Sequence, residues 1–203
     1  MDSKIHTATK GKQMATTTKP KIESIKIGKF VTPAGTAIFV STPNASQHDD
    51  SKQEGSIILT AADLATFKNQ IIAEMKLVEG DFPGGLTIDT LSWPITKDTD
   101  KDGNETGNFK VKAKTAMIYP AKVFDSEGKA IEMTVGYSIP NRSKIRLAVG
   151  VEVCSSKMYN GVVLRLNAIK VIQLNQGALA DPFAGYEDGD AFGEEDAVVN
   201  WED

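Results

Sequence analysis

Three lysines alternate with apolar residues in the segment NFKVKAKTAMIY at positions 108–119. Successive side chains of an extended strand point to opposite faces, so Lys110, Lys112 and Lys114 share one face while the apolar residues between them share the other. A row of ammonium groups on one face of a strand is suited to binding the phosphates of a polyanion. The segment therefore predicts a binding surface.

Further cations and aromatic rings are interleaved along the same half of the chain. Single-stranded nucleic acid needs this mixture, because cations track phosphates and exposed bases stack on flat rings whatever their sequence. The candidate ligand-binding residues are Trp93, Lys110, Lys112, Lys114, Tyr119, Lys122, Phe124, Tyr137, Arg142, Lys144, Arg146, Lys157, Tyr159 and Arg165. The alternative for each ring is that it packs in the core. For Tyr119, Tyr137 and Tyr159 we weight base stacking and core packing about equally.

The sequence contains no convincing catalytic constellation. Its two histidines, His6 and His48, lie in a lysine- and threonine-rich segment and in a polar loop, where their surroundings cannot orient them as a base or ligand. Nucleophile elbows, glycine-rich phosphate loops and metal-ligand spacings are missing as well. We therefore expect a binding protein that is not an enzyme and has no cofactor or bound metal.

The segment DTDKDGNETGNF resembles the opening of a calcium-binding loop, because Asp98, Asp100, Asp102 and Gly103 have the required spacing. The twelfth position should supply a bidentate glutamate, but it is Phe109, and the flanking segments have the pattern of strands. We interpret the segment as an acidic hairpin loop and leave weak calcium binding open.

The remaining patterns predict a mainly β fold with a single helix. LTAADLATFKNQIIAEMKLVEG has a helical period over about residues 60–79, with Thr60 and Asp63 as a capping box. Its apolar stripe is expected to pack against the sheet or barrel. IESIKIGKFVTPAGTAIFVST predicts two strands, and further strands extend to Leu174, including a hairpin through CSSKMYNG. Six or seven strands indicate a small closed or partly closed barrel.

The two ends of the chain differ from its body. Positions 1–21 carry lysines among threonines and predict a flexible basic arm. Of the 27 acidic residues, nine lie in positions 181–203, where there is no lysine or arginine, so the body is basic although the whole chain has a net charge of -4. An acidic tail beside a basic body predicts competition with a polyanionic ligand or contact with another protein.

Over about residues 57–203 the chain resembles the single-stranded DNA-binding proteins of T-odd-type phages and their relatives in other tailed phages. The resemblance lies in the order of a helix after a polar loop, NFKVKAK, VFDSEGKAIE, SKIRLAVGVEVCSSKMYNGVVLRLNAIKVIQL and an acidic tail with an aromatic residue near its end. Members of this family end in an aromatic residue, whereas Trp201 is third from last here.

The resemblance implies an oligonucleotide/oligosaccharide-binding (OB) barrel of five to seven strands with one inserted helix. It implies single-stranded DNA as the ligand and a tail that contacts the phage polymerase and helicase-primase. The tail residues assigned to such partners are Phe192, Trp201, Glu202 and Asp203. From the sequence as a whole we predict three parts: a basic arm at 1–21, which is longer than the family pattern, an OB domain at 22–178 and a disordered acidic tail at 179–203.

These observations predict a sequence-nonspecific protein that protects and organises single-stranded DNA in phage replication or recombination. Its tail would compete with DNA and recruit replication proteins. No window approaches 18 consecutive apolar residues, so we expect no membrane span and a location in the host cytoplasm. Two alternatives stay open: a β-rich structural or interaction protein of a virion, and an OB protein that binds single-stranded RNA. The sequence does not distinguish a monomer from a homodimer.

Overall fold

The structure is a computed structural model that describes residues 22–42, 44–46, 49–132 and 138–175. The predicted arm at 1–21, Tyr137 and the predicted tail from 179 onwards, with Phe192, Trp201, Glu202 and Asp203, lie outside the described residues.

Within this part of the chain there are nine strands and one α-helix. Their bounds are β1 Glu23–Val31, β2 Gly35–Ile38, β3 Lys52–Leu59, α1 Ala61–Lys76, β4 Ile95–Thr99, β5 Glu105–Ala116, β6 Lys122–Phe124, β7 Ala130–Ile131, β8 Lys144–Ser155 and β9 Asn160–Gln173.

Five of the strands pair in a closed cycle. Strand β2 pairs antiparallel with β3, and β3 pairs antiparallel with β5. Strand β5 is parallel to β9, β9 is antiparallel to β8, and β8 returns to β2. A small five-stranded barrel with these pairings is an OB fold, so the predicted barrel is confirmed. The other four strands extend it: β1 lies along β8, β4 pairs with β5, and the hairpin β6–β7 joins the edge of β9.

Alternation along the strands determines which side chains enter the barrel. On β5, Val111 and Ala113 are fully buried, while Lys110, Lys112 and Lys114, which alternate with them, lie on the outer face. On β8, Ile145, Leu147 and Val149 are fully buried, and the residues between them are more exposed. This is the period of two expected for strands with one face on a core. The predicted outward orientation of the lysine row is confirmed.

Helix α1 begins where the sequence predicts. The Thr60 hydroxyl oxygen accepts a hydrogen bond from the Asp63 backbone N–H (3.2 Å), which satisfies one free donor of the first turn. The stripe of Leu64, Phe67, Ile71 and Met75 is buried in the same apolar cluster as the barrel residues. The stripe is therefore core, as expected. The helix ends at Lys76 instead of 79, and a 3-10 turn, Glu79–Asp81, follows it.

No helix in the described ranges is long and apolar enough to cross a lipid bilayer.

Candidate nucleic-acid interface

The lysine row of β5 lies on the outer face that β3 and β5 form together. In the antiparallel register, Lys110 is opposite Ile58, Lys112 is opposite Ser56 and Lys114 is opposite Glu54. Side chains directly opposite each other on one face of a sheet are close neighbours. In OB folds this face, built by the second and third barrel strands, binds oligonucleotides. The structure thus brings the three predicted lysines together on this face.

Glu54 is the acidic residue within this row. Its carboxylate accepts from Lys112 Nζ at 2.9 Å and from Lys114 Nζ at 3.2 Å, and only 6% of its side chain is exposed. Burial by itself raises the pKa of Glu54, but the two ammonium groups outweigh burial and hold that pKa below its usual value. Glu54 therefore stays ionised and neutralises part of the charge of Lys112 and Lys114.

The cationic surface continues from β5 across the neighbouring strands. A single cross-strand row on the outer face connects Thr96, Lys110, Ile58, Thr36, Lys144 and Gln173. Adjacent strands are roughly 4.8 Å apart, so the row forms one track perpendicular to the strands. Neither Lys110 nor Lys144 makes an ion pair with another described residue. Neither charge is therefore neutralised by a described residue; Lys144 is exposed and Lys110 is half-buried.

A second group of predicted residues lies further around the barrel, on β6, β9 and β8. Arg146 is opposite Lys170, and Lys170 is level with Phe124. Lys122 follows in the next row, level with Ala168. Phe124 is half-buried, whereas the three cations are exposed and have no ion pair within the described residues. Lys170 was not among the predicted site residues, although its alternation with Ile169 and Val171 could have identified it.

Arg165 connects the two groups but is already paired. It is level with Lys114 on the neighbouring strand, and its guanidinium donates to Glu152 at 3.2 Å. Arg142 and Lys157 lie in exposed loops, Arg142 just before β8 and Lys157 at the tip of the β8–β9 hairpin. Neither Arg142 nor Lys157 forms an ion pair with a described residue.

The predicted aromatic residues fall into two kinds. Tyr119 is 72% exposed and is available for stacking. The Tyr159 hydroxyl donates to the Val162 carbonyl at 2.6 Å, and burial raises the pKa of this tyrosine. Trp93 packs against the core, with Lys68 Nζ 4.8 Å from the centroid of its ring. Tyr159 and Trp93 thus have structural contacts of their own.

Phe39 is an exposed aromatic residue that the sequence analysis missed. Its side chain is 59% exposed, at the end of β2. A cavity of about 450 Å³ separates it from the β5 lysines, and the other lining residues are Val40, Ser41, Ser46, Glu54, Ser56, Lys110 and Lys112. In the sequence Phe39 belongs to the run AIFV, which gives no sign that the strand ends before the ring.

The acidic segment at 98–103 forms the end of β4, with Asp98 buried, and the turn of the hairpin that leads to β5; the predicted hairpin is present, but its loop begins only at Asp100. Asp100 accepts hydrogen bonds from the backbone N–H groups of Asp102 and Asn104, both at 2.9 Å. Gly103 adopts a left-handed conformation with φ 87°. Among the described residues, no three acidic, histidine or cysteine side chains are grouped as metal ligands.

The fold and its outer face define an OB barrel with a cationic track over β2, β3, β5 and β8. Among solved structures, the chain is similar to the single-stranded DNA-binding protein of bacteriophage Enc34. A C-terminal truncation of that protein gives a TM-score of 0.57 at 12% identity, over 80% of this chain and 98% of the other. Its complex with single-stranded DNA gives 0.57 at 12% identity, over 79% and 98%.

The single-stranded DNA-binding protein encoded by bacteriophage T7 gives a TM-score of 0.48 at 16% identity, over 83% of this chain and 98% of the other. No protein-family model matches the sequence, and no curated protein matches it. At these identities the likeness to the Enc34 protein is one of fold. The resemblance to phage single-stranded DNA-binding proteins is therefore confirmed at the level of fold.

Proposed function

We propose that this protein binds single-stranded DNA without sequence preference and is not an enzyme. The observation that carries the proposal is the track from Lys110 to Lys144, which crosses the face that OB folds use for oligonucleotides. The fold shared with the Enc34 protein, whose structure was solved with single-stranded DNA, supports the same ligand.

The chemistry of the track favours binding that tolerates any sequence. The charged groups of the track and of the second group are ammonium and guanidinium ions, which suit phosphates, and phosphate contacts carry no base information. Lys110, Lys144, Arg146 and Lys170 follow one another around the outer face and would contact phosphates along one bound strand. Exposed rings such as Tyr119 would then stack on bases of any kind.

The C-terminal segment starts beside this surface. Asn175 donates from its side chain to the Asn141 carbonyl at 2.9 Å, and its backbone N–H donates to the Ser143 hydroxyl at 3.0 Å. The described part of the chain therefore ends beside Arg142 and Lys144, and the acidic segment 181–203 follows shortly after it in the sequence. If this segment is an unstructured coil, as the sequence predicts, its end-to-end distance is roughly 30 Å, enough to reach across the face. The tail would compete with DNA, and Phe192, Trp201, Glu202 and Asp203 would contact replication proteins.

This activity fits a role in protecting and organising DNA strands during phage replication or recombination, in the cytoplasm of the host. The polymerase and the helicase-primase are the partners that the sequence resemblance implies for the tail. If the protein forms a homodimer, the dimer carries two tracks. Sedimentation of the free protein distinguishes a monomer from a homodimer.

The proposal is tested by fluorescence anisotropy with labelled oligo-dT at a series of salt concentrations. Affinity should fall with salt, with a log–log slope of about -0.7 for each phosphate contact on a single strand. Oligo-dC and oligo-dA should bind with similar affinity. Failure to bind oligo-dT at low salt would refute the proposal, and preference for an RNA strand of the same sequence would favour the alternative that the ligand is RNA.

A further inference from the structure

Phe39 has an unusual backbone conformation for an aromatic residue. Its φ is 52°, in the left-handed region, which bulky residues rarely occupy because of steric strain. Strained residues persist only where surrounding contacts hold them, and they are frequent at ligand-binding sites. The strained residue here is also a ring that is 59% exposed to solvent. Both features need an explanation beyond packing.

Three hydrogen bonds hold this conformation. The Phe39 backbone N–H donates to the Asn141 side-chain oxygen at 2.9 Å. The Arg142 backbone N–H donates to the Ala37 carbonyl at 2.9 Å, and the Asn175 side chain donates to the Asn141 carbonyl at 2.9 Å. The end of β2 is thereby attached to the segment before β8. These contacts fix the position of the ring and leave much of it exposed.

The ring borders the cavity of about 450 Å³ that extends to the β5 lysines. Lys110 lies at the cavity with its charge unpaired among the described residues, so a phosphate can bind there. An aromatic surface beside a free ammonium group is the combination that binds one unpaired base and its adjoining phosphate.

The polar groups in the cavity explain why it would accept any base. Each oxygen of Glu54 accepts from one lysine, and the hydroxyls of Ser46 and Ser56 lie 3.5 Å from the same two oxygens. The carboxylate is therefore already engaged and has little capacity to accept a base amino group. Recognition would depend on the ring face and the phosphate.

We propose that the cavity between Phe39 and Lys110 is a nucleotide subsite in which one base of the bound strand stacks on Phe39. The inference rests on the proposed DNA-binding function and deepens it. Asn141 acts as a positioning residue, because it holds the backbone of Phe39 without contacting the base.

The test compares Phe39→Asn with Phe39→Tyr. Asparagine tolerates a left-handed backbone, so Phe39→Asn removes the ring without adding strain, and Phe39→Tyr retains the stacking surface. Loss of one stacked base should weaken oligo-dT binding roughly 5- to 150-fold in Phe39→Asn, with the salt slope unchanged. Phe39→Tyr should bind like wild type. Leu77→Ala, which removes an exposed apolar side chain after α1, is the matched control.

An oligonucleotide of the same length made of abasic sugar–phosphate separates stacking from charge. Wild type should prefer oligo-dT over the abasic strand, and Phe39→Asn should lose most of that preference. If wild type binds oligo-dT and Phe39→Asn retains both affinity and preference, the subsite is refuted while the proposed function stands. If wild type fails to bind oligo-dT at low salt, the proposed function itself is refuted.

Discussion

The carboxylate of Glu54 lies between two lysines of the proposed DNA-binding face and is 2.9 Å from Lys112 Nζ. It is nearly buried, so the lysine row includes a negative charge that solvent screens poorly. Lys112 and Lys114 are oriented by this contact, but a phosphate that approaches them must compete with Glu54. Position in the row therefore does not by itself determine how much each lysine contributes to binding.

Replacing Glu54 by glutamine should tighten DNA binding. The change removes one negative charge near the bound phosphates; even the bulk-water interaction of two unit charges about 4 Å apart, about 1 kcal/mol, corresponds to about five-fold in affinity. Anisotropy titration with oligo-dT at low salt measures the effect. The control is Glu105→Gln, which breaks the exposed pair with Lys97 on the β4–β5 hairpin. Weaker DNA binding by Glu54→Gln would show that the orientation of Lys112 and Lys114 by Glu54 matters more than the repulsion between Glu54 and the phosphates.

The same residue should make stability depend on pH. The pKa of Glu54 is lower in the folded protein than its ordinary value, so its ionised form stabilises the fold above the unfolded-state pKa of about 4.3. That contribution is lost as the pH falls through the lower, folded-state pKa. Thermal melts from pH 7 to pH 3 should therefore show a steeper loss of Tm for wild type than for Glu54→Gln. Parallel curves would contradict the assigned pKa direction.

Lys110 should contribute more to DNA binding than Lys112, although both lie in the same row. Lys110 is unpaired among the described residues, whereas Lys112 shares its charge with Glu54. Lys110→Ala should reduce the magnitude of the log–log salt slope by about 0.7, and Lys112→Ala by less. Each variant should weaken binding to oligo-dT, oligo-dC and oligo-dA by the same factor. Equal slope changes for the two variants would argue against partial neutralisation by Glu54.

The alternation of lysines with apolar residues was sufficient to predict the outer face of β5, because a strand with one buried side has a period of two. The capping residue and the apolar stripe of α1 could also be predicted, since both are local features of a helix. Glu54 and the β5 lysines could not be linked from sequence, because their contact depends on the register between β3 and β5. Phe39 was missed for a similar reason: Asn141, which holds it, is 102 residues away.

Removal of residues 181–203 should tighten DNA binding, because it removes nine acidic residues that follow Asn175, which is hydrogen-bonded to Asn141 beside the track. The gain should be largest at low salt and should decrease as salt screens the tail. A full-length variant with the nine acids changed to asparagine or glutamine should behave like the truncation. Trp201→Ala should leave DNA affinity unchanged, since the proposed role of that ring is partner contact. If truncation leaves the DNA affinity unchanged, the tail does not compete with DNA and only its proposed role in partner contact remains.

Gly161 should be intolerant of any side chain, because β9 passes close to the segment that follows the helix. A Cβ at this position would overlap the Ser92 carbonyl oxygen and would lie 2.8 Å from the Tyr159 hydroxyl. The Ser92 carbonyl also accepts from the Val162 N–H at 2.8 Å, so the segment cannot move away without losing that bond.

Gly161→Ala should therefore destabilise the fold by about 1–3 kcal/mol through overpacking. For a chain of this size each kcal/mol lowers Tm by roughly 2–4 °C, which calorimetry detects. Gly80→Ala is the matched control, because a Cβ there would meet no atom within 4 Å. A Tm for Gly161→Ala equal to that of the control would mean that the segment around Ser92 can separate from β9. In that case Trp93, which follows Ser92, would not be held as firmly as its packing against the core indicates.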